Sequence, residues 1–180
     1  MWGLTDLNLK DNQMEELSYH IVRLTSLTQL DVTDNRISEP PGEILRLGIE
    51  QILKYLNRKN MAYAPGGRKN TLDLSMLGLE AVPPACVLMT FITSLGLRDN
   101  RLANLKYQGS DELTLIDEEA MAPLADVIGA PIQAQGLTFS TLKLLVSLDV
   151  SGNALTVLPV DLLLLTLLEK LNVSRNQLTT

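Results

Sequence analysis

Aromatic side chains are scarce in this sequence. Only 4% of its 180 residues are aromatic, although 46% are hydrophobic. A compact globular core normally takes more of its volume from aromatic rings. A core made almost entirely of leucine points instead to many similar, small layers. Cysteine is also nearly absent. Cys86 is the only one, so no internal disulfide can form. That excludes a disulfide-stapled secreted scaffold and favours a reducing compartment, the cytoplasm. Histidine is limited to His20. No His/Cys group has metal-ligand spacing, so neither a metal nor any other cofactor is expected.

Positive charge is in deficit as well. Formal net charge is −6, which disfavours nucleic acid, whose phosphates must be neutralised, and anionic membrane surfaces. Long apolar runs are missing. The stretch Leu162 to Leu168 is too short to span a bilayer and is flanked by Asp161 and Glu169. Met1 to Leu4 shows no basic or apolar leader and enters the repeating pattern directly.

What is present is periodic. Leu7-x-Leu9-x-x-Asn12-x-Met14 recurs as Leu30-x-Val32-x-x-Asn35-x-Ile37 and as Leu95-x-Leu97-x-x-Asn100-x-Leu102. It returns as Leu148-x-Val150-x-x-Asn153-x-Leu155 and Leu171-x-Val173-x-x-Asn176-x-Leu178. A degenerate copy, Leu72-x-Leu74-x-x-Leu77-x-Leu79, has leucine in the asparagine slot. Asn12 to Asn35, Leu77 to Asn100 and Asn153 to Asn176 are each separated by 23 residues. The remaining gaps, 42 and 53, exceed one period by 19 and 30. The chain therefore reads as six 23-residue units carrying two insertions.

Leu-x-Leu is the period-2 mark of a short strand with one buried face. The turn after it must satisfy its backbone groups, and an asparagine amide supplies both donors and acceptors. Stacked layers can then share a ladder of Asn12, Asn35, Asn100, Asn153 and Asn176. Leu77 breaks that ladder, so its layer is expected to be looser. The following Leu-x-x-Leu-x-x-Leu segment, as in Leu155, Leu158, Leu162, Leu165 and Leu168, has a period near 3 and suits 3-10 or irregular turns. Pro41, Pro83 and Pro159 stand where each such segment begins.

This pattern resembles the leucine-rich repeat family in its typical intracellular form, and within it the Ras-group-related subset with Leu-x-x-Leu-Pro segments such as Leu155 to Pro159. The resemblance covers the repeats and excludes both insertions. It implies an α/β solenoid: an arc with short parallel strands on the concave face and irregular, 3-10 or helical segments on the convex side. The expected organisation is repeats 1–2 over 1–47 and a helical insertion or capping helix over 48–70. Repeats 3–4 follow over 71–105, a second insertion over 106–138, and repeats 5–6 over 139–180. Ile49, Ile52, Leu53 and Leu56 lie on one face of a helix, with Lys54, Asn57, Arg58 and Lys59 expected toward solvent or the helix end. Whether that helix caps a first arc or forms a layer inside a single one stays open. The second insertion interrupts a layer begun by Leu102 and Leu105 and completed by Phe139, Leu142 and Leu145. Because the chain starts and stops inside a repeat, at Leu4 and Thr180, a piece of a larger protein is expected.

No catalytic constellation emerges, and the chain is not expected to be an enzyme. His20 falls on the return segment, and Cys86 fills a leucine-type core slot. Gly66-Gly67-Arg68-Lys69 lacks the spacing of a phosphate loop. Asn172-Val173-Ser174 matches a glycosylation triplet but lies inside a strand. Binding is the better prospect. Between the core residues of the strands runs a column of Asn8, Asp31, Asp73, Gly96, Asp149 and Asn172. A second column, just before the ladder, holds Asp11, Asp34, Met76, Asp99, Gly152 and Arg175. Lys10, Arg98 and Ser174 lie between the two. Aspartate outnumbers basic residues here, so the face would suit a partner protein with a basic or amide-rich surface. The ordinary alternative is that the aspartates simply keep the sheet soluble. The resemblance implies an intracellular protein-interaction scaffold in signalling, or the recognition arm of a larger kinase, GTPase or ubiquitin ligase. Leu163, Leu164 and Leu167 add apolar surface on the return side of the last unit.

Overall fold

The structure, a computed structural model, describes residues 3–63, 70–105, 139–159, 162 and 164–179. Each Leu-x-Leu motif forms a three-residue strand: β1 (Asp6–Asn8), β2 (Gln29–Asp31), β3 (Thr71–Asp73), β4 (Ser94–Gly96), β5 (Ser147–Asp149) and β6 (Lys170–Asn172). All pair in parallel, with the repeat positions in register. Leu7 faces Leu30, Leu72 faces Leu95, Leu95 faces Leu148, and Leu148 faces Leu171. The fold is thus a solenoid-like stack of strand layers. The second insertion, the apolar Leu163 and the Gly66-Gly67-Arg68-Lys69 stretch lie outside the described residues.

The six strands do not form one sheet, as a continuous array would require. β1 and β2 pair as one, and β3 to β6 form another. Between them in sequence stand α1 (Gly42–Arg46) and α2 (Ile49–Tyr63). Helix α2 packs on the 3-10 turn Tyr19–Arg23 of the first block and on β3 of the second. Its burial extends beyond the expected Ile52 and Leu56 to Tyr55 and Ala62, because it is covered from two sides. One hydrophobic core runs through both blocks and the helix, from Leu17 to Leu165.

The helix also explains the missing ladder asparagine. Asn100 donates to the carbonyls of Leu97 (2.9 Å) in its own layer and Leu74 (3.0 Å) in the layer before, and accepts from the N–H groups of Leu77 and Leu79. Asn153 repeats this with Val150, Leu97 and Leu102. The layer before Leu77 is helical, and a helix spends its carbonyls on its own N–H groups. An asparagine at 77 would find no such acceptor. The layer is not looser, contrary to the sequence expectation: Leu77 is 1% exposed and Leu72 is fully buried.

The return segments are short and varied. Tyr19–Arg23 and Phe139–Thr141 are 3-10 turns, whereas α3 (Pro84–Leu88) is α-helical. Pro41 and Pro83 cap α1 and α3 with extended backbone, suiting proline's fixed φ at a helix start. Phe139, Leu142 and Leu145 are buried beside Leu102 and Leu105, completing their layer.

Beneath α2 lies a small polar group. Lys59 Nζ sits 3.1 Å from Glu39 Oε1, so Lys59 does not simply face solvent. Arg58 likewise turns inward to the Ser75 carbonyl. Glu43 is 5% exposed, and its Oε1 is buried without a hydrogen bond. Burial first, and the Glu39 charge second, push the Tyr55 hydroxyl well above its usual range; the same two causes raise the Cys86 thiol.

Candidate functional site

The strand-side face carries the proposed binding residues in two columns, each with a local structural task. In the middle column the side-chain oxygen turns back onto its own chain. Asn8, Asp31, Asp73, Asp149 and Asn172 each accept the backbone N–H two residues on. Hydroxyls reinforce three of these turns: Thr33 on Asp31 at 2.7 Å, Ser151 on Asp149 at 2.6 Å and Ser174 on Asn172 at 2.9 Å. These local rings close the turn after each strand. The Thr33 hydroxyl, then the Thr33 N–H and the more distant Lys10 charge, hold the Asp31 carboxyl below the usual carboxylate range. Thr33 and Ser151 are turn-closing partners absent from the sequence reading, which placed Ser174 on the face without this role. Their signal was in the sequence, as Asp-x-Thr, Asp-x-Ser and Asn-x-Ser.

The second column is set by backbone shape. Asp11, Asp34, Met76, Asp99 and Arg175 have φ between 52° and 58°, and Gly152 has 66°. This left-handed region favours glycine, asparagine and aspartate. The aspartates at 11, 34 and 99 therefore answer a turn requirement before any partner is considered. Met76 and Arg175 occupy the same conformation at higher cost.

Two glycines shape the face. A β-carbon at Gly96 would come within 2.9 Å of Asp73 Oδ1, and one at Gly152 within 2.1 Å of Asp99 Oδ1. In both places an aspartate leans over the bare backbone of the next layer. Across Gly152, Asp99 Oδ1 lies 3.7 Å from Arg175 Nη2, and Asp99 Oδ2 lies 3.0 Å from Arg98 Nε. In the first block Lys10 and Asp34 pair at 3.4 Å. Arg98, Asp99 and Arg175 thus form one charged group; Asp73 and Asp149 lie on strands either side of β4. Asn8, Asp11, Asp31 and Asp34 belong to the first block and are not brought together with these.

Elsewhere the chemistry-bearing residues are spread out. His20 is exposed, bonded to the Ser18 hydroxyl at 3.1 Å and packed on Tyr19. Cys86 is fully buried. Among the described residues no three His, Cys, Asp or Glu side chains cluster to hold a metal, and no helix is long and apolar enough to cross a membrane.

No protein-family profile matches the chain, and no curated protein does. Among solved structures, one leucine-rich repeat protein, from Leptospira interrogans, is similar at 23% identity with a TM-score of 0.45. The match covers 99% of this chain and 33% of that protein, so the chain spans about a third of its length.

Proposed function

We propose that the chain is a non-catalytic protein-recognition module, working in the cytoplasm, that docks a basic or amide-rich partner surface on its strand-side face. The observation that supports this is the in-register display of Asp73, Asp149 and Asn172 on three strands of one sheet. Adjacent parallel strands are about 4.8 Å apart, so Asp149 and Asn172 stand one step apart and Asp73 two steps from Asp149 across Gly96, distances an extended partner segment can span. Rigid strands fix these groups before binding, which lowers the ordering cost of association.

The test separates charge from fold. Asn8 and Asn172 already make the same local turn as the aspartates. Replacing Asp31, Asp73 and Asp149 with asparagine should therefore keep the turns and remove the charge. Binding of a lysine-rich probe peptide, followed by calorimetry, is expected to fall at least tenfold with the melting temperature unchanged. Equal affinity of wild type and the triple variant would reject the reading.

A further inference from the structure

Met76 is the odd residue on the strand-side face. It is the only apolar side chain among the two columns and the positions between them. It is 58% exposed, and it belongs neither to the core nor to the hydrophobic side chains packed against it. Its φ is 58°, in the left-handed region that glycine, asparagine and aspartate adopt most readily. The same slot holds Asp11, Asp34, Asp99 and Gly152 in other layers. Arg175, the other unfavourable occupant, gains an ion pair with Asp99. Met76 gains no core packing for its conformation.

The surroundings hold that conformation in place. The Met76 N–H donates to the Arg98 carbonyl at 2.9 Å, and the Leu77 N–H donates to Asn100 Oδ1 at 3.1 Å. Ser75, just before, is bonded three times. Its N–H donates to Asp73 Oδ1, its carbonyl accepts from Arg58 on α2, and its hydroxyl oxygen accepts the Arg98 N–H. Strained residues that their neighbours over-determine cluster at binding and catalytic sites. Beside this turn a β-carbon at Gly96 would meet Asp73 Oδ1 at 2.9 Å and Ser75 Oγ at 3.2 Å, so the next layer presents bare backbone there.

Charge selects the occupant. Among the described residues no cation pairs with Asp73, whereas Asp99 pairs with both Arg98 and Arg175. One turn therefore offers an open carboxylate at Asp73 and an exposed thioether at Met76. We propose, resting on the strand-side docking reading, that Met76 is the apolar anchor of that face. The partner is an extended segment with an aliphatic side chain next to a lysine or arginine: the aliphatic group packs on Met76 and the cation meets Asp73. Methionine is enriched at protein interfaces, and its unbranched side chain adapts to the group opposite.

Calorimetry with two probes tests this: a lysine-rich peptide with one central leucine, and the same peptide with asparagine in that place. Wild type should bind the leucine peptide at least about fivefold tighter, the effect of burying roughly one methylene group. Met76→Asn suits the left-handed turn, so it should melt at or above the wild-type temperature while the preference for leucine disappears. Met76→Leu should keep the preference. Equal binding of both peptides by wild type overturns the proposal, as does a folded Met76→Asn variant that keeps the preference or melts lower. Those results leave docking through the aspartates standing when the triple asparagine variant still loses affinity. A wild type that binds neither peptide overturns both.

Discussion

The two strand blocks share one register and differ in depth. In the four-stranded block Leu72, Leu95 and Leu148 are no more than 1% exposed. Their equivalents Leu7 and Leu30 in the two-stranded block are only half-buried. The residue type and slot are the same. What differs is what lies alongside: β4 and β5 are flanked by strands on both sides and β3 by β4 and helix α2, whereas β1 and β2 have only each other as strand neighbours. Burial in such a stack belongs to the neighbours more than to the residue. The ladder follows the same rule, since Asn100 and Asn153 are each 8% exposed whereas Asn12 is exposed.

The largest expected effect comes from deep within the second block. Leu148→Ala removes a filled slot between two layers and should cost about 2–5 kcal/mol. Leu30→Ala, half-buried already, should cost about 1 kcal/mol. Urea unfolding of both variants measures the gap, and equal losses would break the comparison. Leu77→Asn restores the repeat pattern and should nonetheless destabilise by about 1–3 kcal/mol, by burying an amide with no carbonyl from the helical layer. A neutral result there would mean that α2 does not set the residue at 77. Asn153→Ala strands the Leu102 N–H and should cost about 1–3 kcal/mol, against a few tenths for Asn12→Ala. The smallest effect is on pH dependence. Cys86 and Tyr55 are raised in the fold, so both stay neutral there while the unfolded groups ionise near about 8.5 and 10. Their contribution is complete below about pH 8.5 and declines as pH rises. Cys86→Ala should delay the onset of alkaline destabilisation toward pH 10.

Strand positions and register were legible because period-2 leucines and a constant 23-residue spacing specify them locally. The outward columns were legible as positions, and less so as roles. Asp11, Asp34 and Asp99 read as binding groups until their positive φ is seen, although Gly152 in the same column already hinted at a backbone demand. The two-sided packing of α2 was not legible. Its strongest apolar face, Ile49, Ile52, Leu53 and Leu56, leaves out Tyr55 and Ala62, which are as deeply buried as Ile52 and Leu56. The group of Glu39, Lys59, Tyr55 and Cys86 is assembled from three distant segments, which no short-range pattern records.

A helix standing in a row of strands changes how alignment is transmitted. Strand pairing hands its phase from one neighbour to the next, but the backbone of α2 closes its hydrogen bonds upon itself and passes on no strand register. The leucines of β1 and β2 are aligned without reference to those of β3 to β6. Whole units could therefore be gained or lost on either side of the helix, and the far side would keep its own phase.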